Sequence, residues 1–476
     1  MDSAAPPVTP AERARRTRIT ALIVACALFM QNLDSTVIST ALPTMARAFG
    51  AQPAHMNVAL TSYLLSLAVF IPASGWMADR FGARTVFRAA IGVFTLGSIL
   101  CGRADSLTFL VMARIFQGLG GAMMVPVGRL LLLRSVAKSE LVAAMAWLST
   151  PALIGPVVGP PIGGFIVTYF SWPLIFDINI PIGILGITLV TLYVEDVRET
   201  THTRFDFPGL LFSGFGLAST IFGLETIGRG MIPLPVSLAM IGAGLVCALL
   251  YWRHARSHPA PLLDFTLLRI PTFLVSVGAG TLFRIGIGAI PFLLPLMLQV
   301  GFGRSPAQSG MITFASSAGA IVMKPAAMTA LRRFGFRDTL LLNAVISSIL
   351  LAAIAAFRPS WPQFALYAVL LTGGFFRSLQ FTAYNALAYA DIPRERMSAA
   401  TSLYSTIQQL SQVLGISAGA AVLQISMTAD DHPVPLLDDF SIAFLAVACI
   451  SLISAPLTLA MPRTAATEMS GHGGRG

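Results

Sequence analysis

An all-α, polytopic membrane protein of fourteen transmembrane helices is the fold class this sequence predicts, on three observations. The 476 residues are 55% hydrophobic and 11% charged, against about 45–50% apolar and about 25% charged in soluble domains. Apolar runs long enough to cross a bilayer, roughly 20 residues each, recur from end to end. The basic residues between those runs alternate in abundance, as they do when positive charge is retained in short cytoplasmic loops.

The runs lie at 19–43, 56–78, 85–102, 107–130, 141–168, 172–194 and 207–226, then at 234–252, 271–300, 306–330, 338–357, 361–390, 397–425 and 440–461. With the N-terminus inside, Arg13, Arg15, Arg16 and Arg18 precede the first run, and Arg80, Arg84 and Arg88 follow the second. Arg134 and Lys138, Arg198 and Arg204, then Arg253, Arg256 and Arg269 follow the fourth, sixth and eighth. Arg332, Arg333 and Arg337, then Arg394 and Arg396, follow the tenth and twelfth, and Arg463 and Arg475 sit in the tail. That places 21 of 31 basic residues on one side. The opposite loops hold Arg47, Arg103, Arg229, Arg304 and Arg358, and the last of them carries Asp430, Asp431, Asp438 and Asp439 with no basic residue. Both termini are therefore expected in the cytoplasm, and the membrane is expected to be the cytoplasmic (inner) one.

Composition also excludes. A net charge of +10 spread over short loops is membrane topology rather than a nucleic-acid face, so no nucleic-acid partner is expected. Cys26, Cys101, Cys247 and Cys449 all fall in or beside apolar runs, which implies no disulfide framework. Residues 1–18 lack an apolar h-region, so the first run itself is expected to direct insertion. His202, His254 and His258 read as loop residues without metal-ligand spacing. No P-loop and no soluble insert of catalytic size is present, so the chain reads as no enzyme, needing no cofactor.

Shifting the sequence by 253 positions lays Phe49-Gly50 on Phe302-Gly303, Pro72 on Pro325, Arg80-Phe81-Gly82 on Arg333-Phe334-Gly335, Arg84 on Arg337, and Gly120-Gly121 on Gly373-Gly374. Matches in order and without gaps are the mark of an internal repeat. The domains expected are a cytoplasmic tail (1–18), a six-helix bundle (19–199), a two-helix spacer (200–256), a second six-helix bundle (257–461) and a tail (462–476). An even number of spans between the repeats makes them parallel, related by a pseudo-twofold along the membrane normal.

Between the second and third runs stands Gly75-Trp-Met-Ala-Asp79-Arg80-Phe-Gly82-Ala83-Arg84. Glycines permit a tight turn, and an acid with two arginines can pair with each other or with helix ends; a plain positive-inside loop is the alternative. The string resembles the loop signature of the major facilitator superfamily, with Ala83 at a usually basic place. Leu33-Asp34-Ser-Thr36 through Pro43 is similar to the first-span motif of its fourteen-span drug–proton antiporters, with Ser39 where asparagine is usual. Arg114-Ile-Phe-Gln117-Gly118-Leu-Gly120-Gly121 resembles the fourth-span motif, whose arginine the resemblance ties to proton coupling. Gly155-Pro156-Val-Val-Gly159-Pro-Pro-Ile-Gly163-Gly164 resembles the fifth-span antiporter motif. Trp172 to Gly183 also fits, with Pro173 in place of an arginine.

The residues read independently are compatible. Asp34 is a carboxylate in an apolar run, and an intramembrane acid is a functional hypothesis by default; a neutral acid hydrogen-bonded to Thr36 or to a neighbouring helix is the alternative. Arg114, if buried, is a fixed cation that makes a neighbouring acid's protonation depend on conformation; otherwise it snorkels to the interface. Gly155, Gly159 and Gly163 share one helix face and admit a close neighbour, as a seal between states or as plain packing. Gln31, Arg284, Lys324, Arg377, Gln380 and Asn385 are candidates for a substrate cavity, where cations favour neutral or anionic ligands, or else are helix-end anchors. Asp177 and Glu225 sit near outer ends, where solvation explains them. The expectation is efflux of a small amphipathic compound against inward protons, by a monomer in the lipid bilayer driven by the proton gradient, with a periplasmic adaptor left open. A metabolite or lipid exporter or symporter, and a ligand sensor without transport, are the alternatives.

Overall fold

The structure, a computed structural model, describes residues 10–135, 141–194, 205–226, 233–258, 261–393, 396–430 and 434–462. Lys138, Arg198, His202, Arg204, Arg229, Arg394, Asp431, Arg463 and Arg475 lie outside the described residues. Among those described there is no strand. A chain whose apolar stretches must satisfy their own backbone groups in lipid has the helix as its solution.

In chain order the helices are α1 (Pro10–Phe49), α2 (Asn57–Phe70), α3 (Ser74–Phe81), α4 (Ala83–Gly102), α5 (Leu107–Ser135), α6 (Leu141–Tyr169), α7 (Leu174–Asp177), α8 (Asn179–Tyr193), α9 (Phe207–Thr226) and α10 (Leu234–Ser257). They continue as α11 (Pro271–Gly288), α12 (Ile290–Leu296), α13 (Pro306–Val322), α14 (Lys324–Ala355), α15 (Gln363–Tyr389), α16 (Met397–Ala429), α17 (Leu437–Leu452) and α18 (Ser454–Thr458). Twelve segments among the described residues are long and apolar enough to cross a membrane. The 17-residue α13 and the stretch Ile154–Tyr169 of α6 are the shorter apolar pieces beside them. The 40 residues of α1 extend about 60 Å at 1.5 Å per residue, twice the hydrocarbon thickness.

Three boundaries differ from the sequence expectation. The run 271–300 is interrupted at Ala289 and ends in a π-helical turn, Met297–Gly301. The run 306–330 breaks after Val322, and α14 continues through Lys324 until Gly335 (φ 71°, ψ 174°) turns the backbone. His254 is not a loop residue: it lies in the last turn of α10, with only His258 beyond the helix.

All positive-φ glycines among the described residues obey the 253-residue shift: Gly50 (φ 62°) with Gly303 (φ 64°), and Gly82 (φ 86°) with Gly335 (φ 71°). A left-handed backbone is costly for any residue with a Cβ, so the repeat is written in conformation as well as in letters. Contacts between the first and second halves of the chain follow the same shift. The principal ones are α6 on α13 and α2 on α16, and the shift carries α2 onto α13 and α6 onto α16. The helices α9 and α10 pack on each other, and α9 touches α2 and α16.

The cores show where the halves join. One core takes Leu42, Met45 and Met56 from the first half together with Leu293, Met297 and Phe440 from the second. Two further cores do not span both halves, one around Val24, Phe87 and Leu131, the other around Phe273, Leu403 and Tyr404.

Candidate functional site

Five helices converge on Asp34. The α1 backbone satisfies Thr36 first: its hydroxyl donates to the carbonyls of Asn32 (2.9 Å) and Leu33 (3.0 Å), so Thr36 is not the acid's partner. Arg114 of α5 donates from Nη1 to Asp34 Oδ2 at 2.6 Å and to Gln117 Oε1 at 2.6 Å, and from Nε to the Ala59 carbonyl of α2 at 3.1 Å. Its guanidinium carbon lies 4.2 Å from the Tyr63 ring centroid. Gln117 Nε2 donates to Asp34 Oδ1 (2.9 Å) and to Ser98 Oγ of α4 (2.6 Å). Asn179 Nδ2, at the start of α8, donates to the same two atoms at 2.8 and 3.0 Å. Asp34 is 2% exposed, and Arg114, Gln117, Ser98 and Asn179 are fully buried.

Such a cluster suits an ionised carboxylate, which accepts charge-assisted bonds on both oxygens. The pair is neutral as a unit, but either member alone would be a buried charge, at a cost of about 3–5 kcal/mol. Arg114 is therefore buried and acid-paired, not an interfacial anchor. Gln117 falls within the fourth-span motif and Asn179 within the Trp172 to Gly183 stretch, neither with a role assigned from the sequence. Gln117's spacing, one turn from Arg114 on the same face, is the signal that could have found it.

The α6 glycines meet two neighbours. An added Cβ at Gly159 would stand 2.0 Å from Thr36 Oγ1, and Gly155 and Gly163 likewise face α1. Gly164 faces α13, where a Cβ would lie 2.3 Å from the Pro306 carbonyl. The Pro156 carbonyl accepts from Ser317 Oγ at 3.1 Å. One face of α6 thus packs within the first half and another against the second.

In the loop string, Gly82 supplies the left-handed turn between α3 and α4, and Arg84 donates to the Thr191 carbonyl of α8. Asp79 is half-buried, and Gly75 and Arg80 are exposed. A Cβ on Gly75 would touch nothing.

A cavity of about 340 Å³ lies between the halves, lined by Gln31, Pro126, Asn385, Tyr389, Tyr404 and Gln408 among others. Of the sequence candidates it takes in Gln31 and Asn385. Arg284 is fully buried behind Tyr404, donating from Nη2 to its hydroxyl. Gln380 bonds the Leu340 carbonyl (3.0 Å) and accepts from Asn343 (2.7 Å), tying α15 to α14. Arg377 donates to Ser316 Oγ of α13 at 2.5 Å. Lys324 is exposed at the break before α14. Asp177 pairs with Arg103 at 3.4 Å on the exposed rim. The donor atoms of Asp206, His254 and His258 come together at the ends of α9 and α10. There Asp206 already accepts from the Gly209 amide (2.9 Å) and meets His254 Nε2 at 2.6 Å, an N-cap with a histidine partner.

The sequence profile of the Major Facilitator Superfamily matches residues 24–416 and 277–474. The chain belongs to this superfamily. It is a family of transporters rather than of enzymes. Curated relatives carry the name "Putative multidrug resistance protein MdtD". That of Pectobacterium atrosepticum is 39% identical over 403 residues, 85% of this chain and 86% of the relative. That of Citrobacter koseri is 39% identical over 418 residues, 87% and 88% of the two chains. That of Salmonella heidelberg is 40% identical over 411 residues, 86% of each. Among solved structures, the POT family transporter PepTSo superposes with a TM-score of 0.68 at 13% identity, covering 94% of this chain and 97% of its own. A bacterial homolog of the human lysosomal transporter Spinster, in an inward-facing and unoccupied conformation, gives 0.65 at 15% identity, over 94% and 97%. Both share the fold of this chain.

Proposed function

We propose that this multi-pass membrane protein exports small amphipathic compounds across the cytoplasmic membrane in exchange for protons. All fourteen runs cross the bilayer in this reading, and both termini are cytoplasmic. The spans at 19–199 and 257–461 form two six-helix bundles about a pseudo-twofold, with 200–256 as spacer and 1–18 and 462–476 as tails. The relatives' multidrug resistance name supports efflux, and the drug–proton antiporter motifs support exchange. The observation that carries the reading is the fully buried Asp34–Arg114 pair one helical turn from Gln31 on the cavity wall.

The coupling follows from charge. With Asp34 ionised, Arg114 is compensated and the cluster sits comfortably in the core. A proton on Asp34 leaves Arg114 as a buried cation without its counter-charge, which penalises this arrangement and favours one that readmits water or carbonyls to the guanidinium. A ligand in the cavity biases the same equilibrium through its differential affinity for the two states. Separate cores near the starts of α1 and α11, with the halves sharing a core around Leu42 and Leu293, support a cavity approached from the cytoplasm. The Gly75 to Arg84 loop acts as the latch there, while Gly155, Pro156, Gly159, Gly163 and Gly164 seal the outer side.

Proteoliposomes with an imposed pH gradient supply the test: substrate addition is expected to drive proton flux, and Asp34→Asn is expected to abolish it while insertion and helix content are unchanged. Undiminished coupled flux in Asp34→Asn would refute the proton role. Binding without any flux in the unmodified protein would place the chain with the sensors instead.

A further inference from the structure

Arg284 is one of three buried arginines among the described residues, with Arg114 and Arg377, and its setting is the reverse of Arg114's. It is fully buried in α11, yet Nε and Nη1 find no hydrogen-bond partner among the described residues. Its partners are the Tyr404 hydroxyl and two aromatic faces, with the guanidinium carbon 4.9 Å from the Tyr404 centroid and 5.8 Å from that of Phe381. Among the described residues no carboxylate pairs with it within the ion-pair distance. Cation–π contacts contribute about 0.5–2 kcal/mol each, less than the several kcal/mol that burial of an unpaired ion demands. Two buried N–H groups without acceptors add to that deficit. A guanidinium so placed keeps both charge and donor capacity for an anion in part of the working cycle.

Tyr404, which holds Arg284, also lines the cavity, together with Gln408, Gln31 and Asn385. These cavity residues are amides and phenols, groups that solvate a polar headgroup without fixing its charge. The Asp34–Arg114 pair on the other side is neutral as a unit. Arg284, reached through Tyr404, is the cation next to this lining.

We infer that Arg284 is the counter-charge for a carboxylate on the transported amphipath, received by rotation of the Tyr404 ring. The inference rests on the reading of this cavity as the substrate site. A guanidinium presents paired N–H donors in a fixed fork that matches the two oxygens of a carboxylate; rotation of Tyr404 frees Nη2, which with Nε or Nη1, both now without acceptors, forms such a fork. The apolar wall at Ile71, Ala122 and Val125 accommodates the rest of an amphipathic acid.

Purified protein in detergent, without any gradient, is titrated with three probe pairs: 1-naphthoate, 4-phenylbutyrate and 11-(dansylamino)undecanoate, each against its primary amide. At least one carboxylate is expected to bind roughly tenfold or more tighter than its amide, the range set by charge-assisted hydrogen bonds. Arg284→Gln is expected to erase that preference by weakening the acid and leaving the amide unchanged. Arg284→Lys, which keeps the charge but loses the fork, is expected to retain part of it. An unmodified protein that binds no carboxylate better than its amide overturns the assignment, and so does an undiminished preference in a folded Arg284→Gln. Should Arg284→Gln not fold, the unmodified protein and Arg284→Lys decide alone. The exchange reading fails separately: undiminished coupled flux in Asp34→Asn refutes the proton role, while the carboxylate preference measured without a gradient still decides the role of Arg284.

Discussion

The two halves of the chain share a backbone plan and place their polar residues differently. At the 253-residue shift, Ser98, Arg114 and Gln117 fall on Leu351, Tyr367 and Leu370. Asp34 falls on Ile287, flanked by Gly286 and Gly288, so a one-residue slip at the π-helical turn leaves the comparison standing. Where the first half buries a four-sided polar cluster, the second packs Ile287, Leu351 and Leu370 at 0–6% exposure. Conversely Arg284, Arg377 and Gln380 fall on Gln31, Met124 and Val127. Repeat geometry thus fixes how the helices pack, while chemistry is assigned to one half at a time: a closed, self-neutral acid–base cluster in the first, an under-satisfied cation beside the cavity in the second.

The sharpest way to break this division is to unbalance the first cluster. Arg114→Gln leaves Asp34 buried without its cation, and a loss of about 3–5 kcal/mol is expected, read as lower folded yield and a lower melting temperature in detergent. The double variant Asp34→Asn with Arg114→Gln removes both charges and is expected to recover most of that stability without recovering coupled flux. If the double variant is as unstable as Arg114→Gln alone, the two residues do not act as a pair.

Next in size is a swap between equivalents. Gln117→Leu installs the second half's residue, removes the bonds to Asp34 and Ser98, and is expected to cost about 1–3 kcal/mol while weakening coupling. Leu370→Gln puts an amide into the apolar equivalent, with a similar stability cost but coupled flux per folded molecule unchanged. Equal effects on flux from the two swaps would mean that the halves share the proton work.

What could be read in the sequence divides along the same line. The helix positions, the repeat and the proline and glycine punctuation were legible because bilayer solvation and left-handed backbone leave signatures in single residues. Asp34 and Arg114 stood out for the same reason, being costly where they are. Their mutual distance did not, since 80 positions separate them and only the packing of α1 against α5 brings them together. Asn179 was less visible still, because an amide near a helix break reads as an ordinary terminus until α8 is docked on α4. Lys324 and Arg284 looked alike as intramembrane cations, and burial alone distinguishes the exposed one from the fully enclosed one.

Glycine substitutions probe packing without charge. Gly159→Ala drives a methyl into Thr36 and is expected to cost about 1–3 kcal/mol as overpacking, with transport lost through displacement of the helix that carries Asp34. Gly75→Ala, exposed and with nothing near its Cβ, is expected to leave both melting temperature and flux nearly unchanged. A Gly75→Ala protein as impaired as Gly159→Ala would show that the loop glycine works in a second conformation rather than in this one.

The smallest effect lies where α10 gives way to α11, outside the spans. Partial burial raises the Asp264 carboxyl's pKa, but hydrogen bonds from Thr266 and Arg396 and the nearby Arg396 charge outweigh it and hold the group below its ordinary value. Arg396, at the start of α16, meets Asp264 at 2.6 Å with both groups partly exposed, so about 1 kcal/mol or less is at stake. A carboxylate with a depressed folded pKa contributes stability above its unfolded pKa, and that contribution fades as pH falls through the folded one. Asp264→Asn is accordingly expected to melt slightly below the unmodified protein at neutral pH, and the gap is expected to close in acid below the usual carboxylate range. A gap that persists unchanged in acid would mean that Asp264 acts as a neutral helix cap for Thr266, leaving the tether between α16 and the start of α11 to packing around Leu267, Phe273 and Leu403.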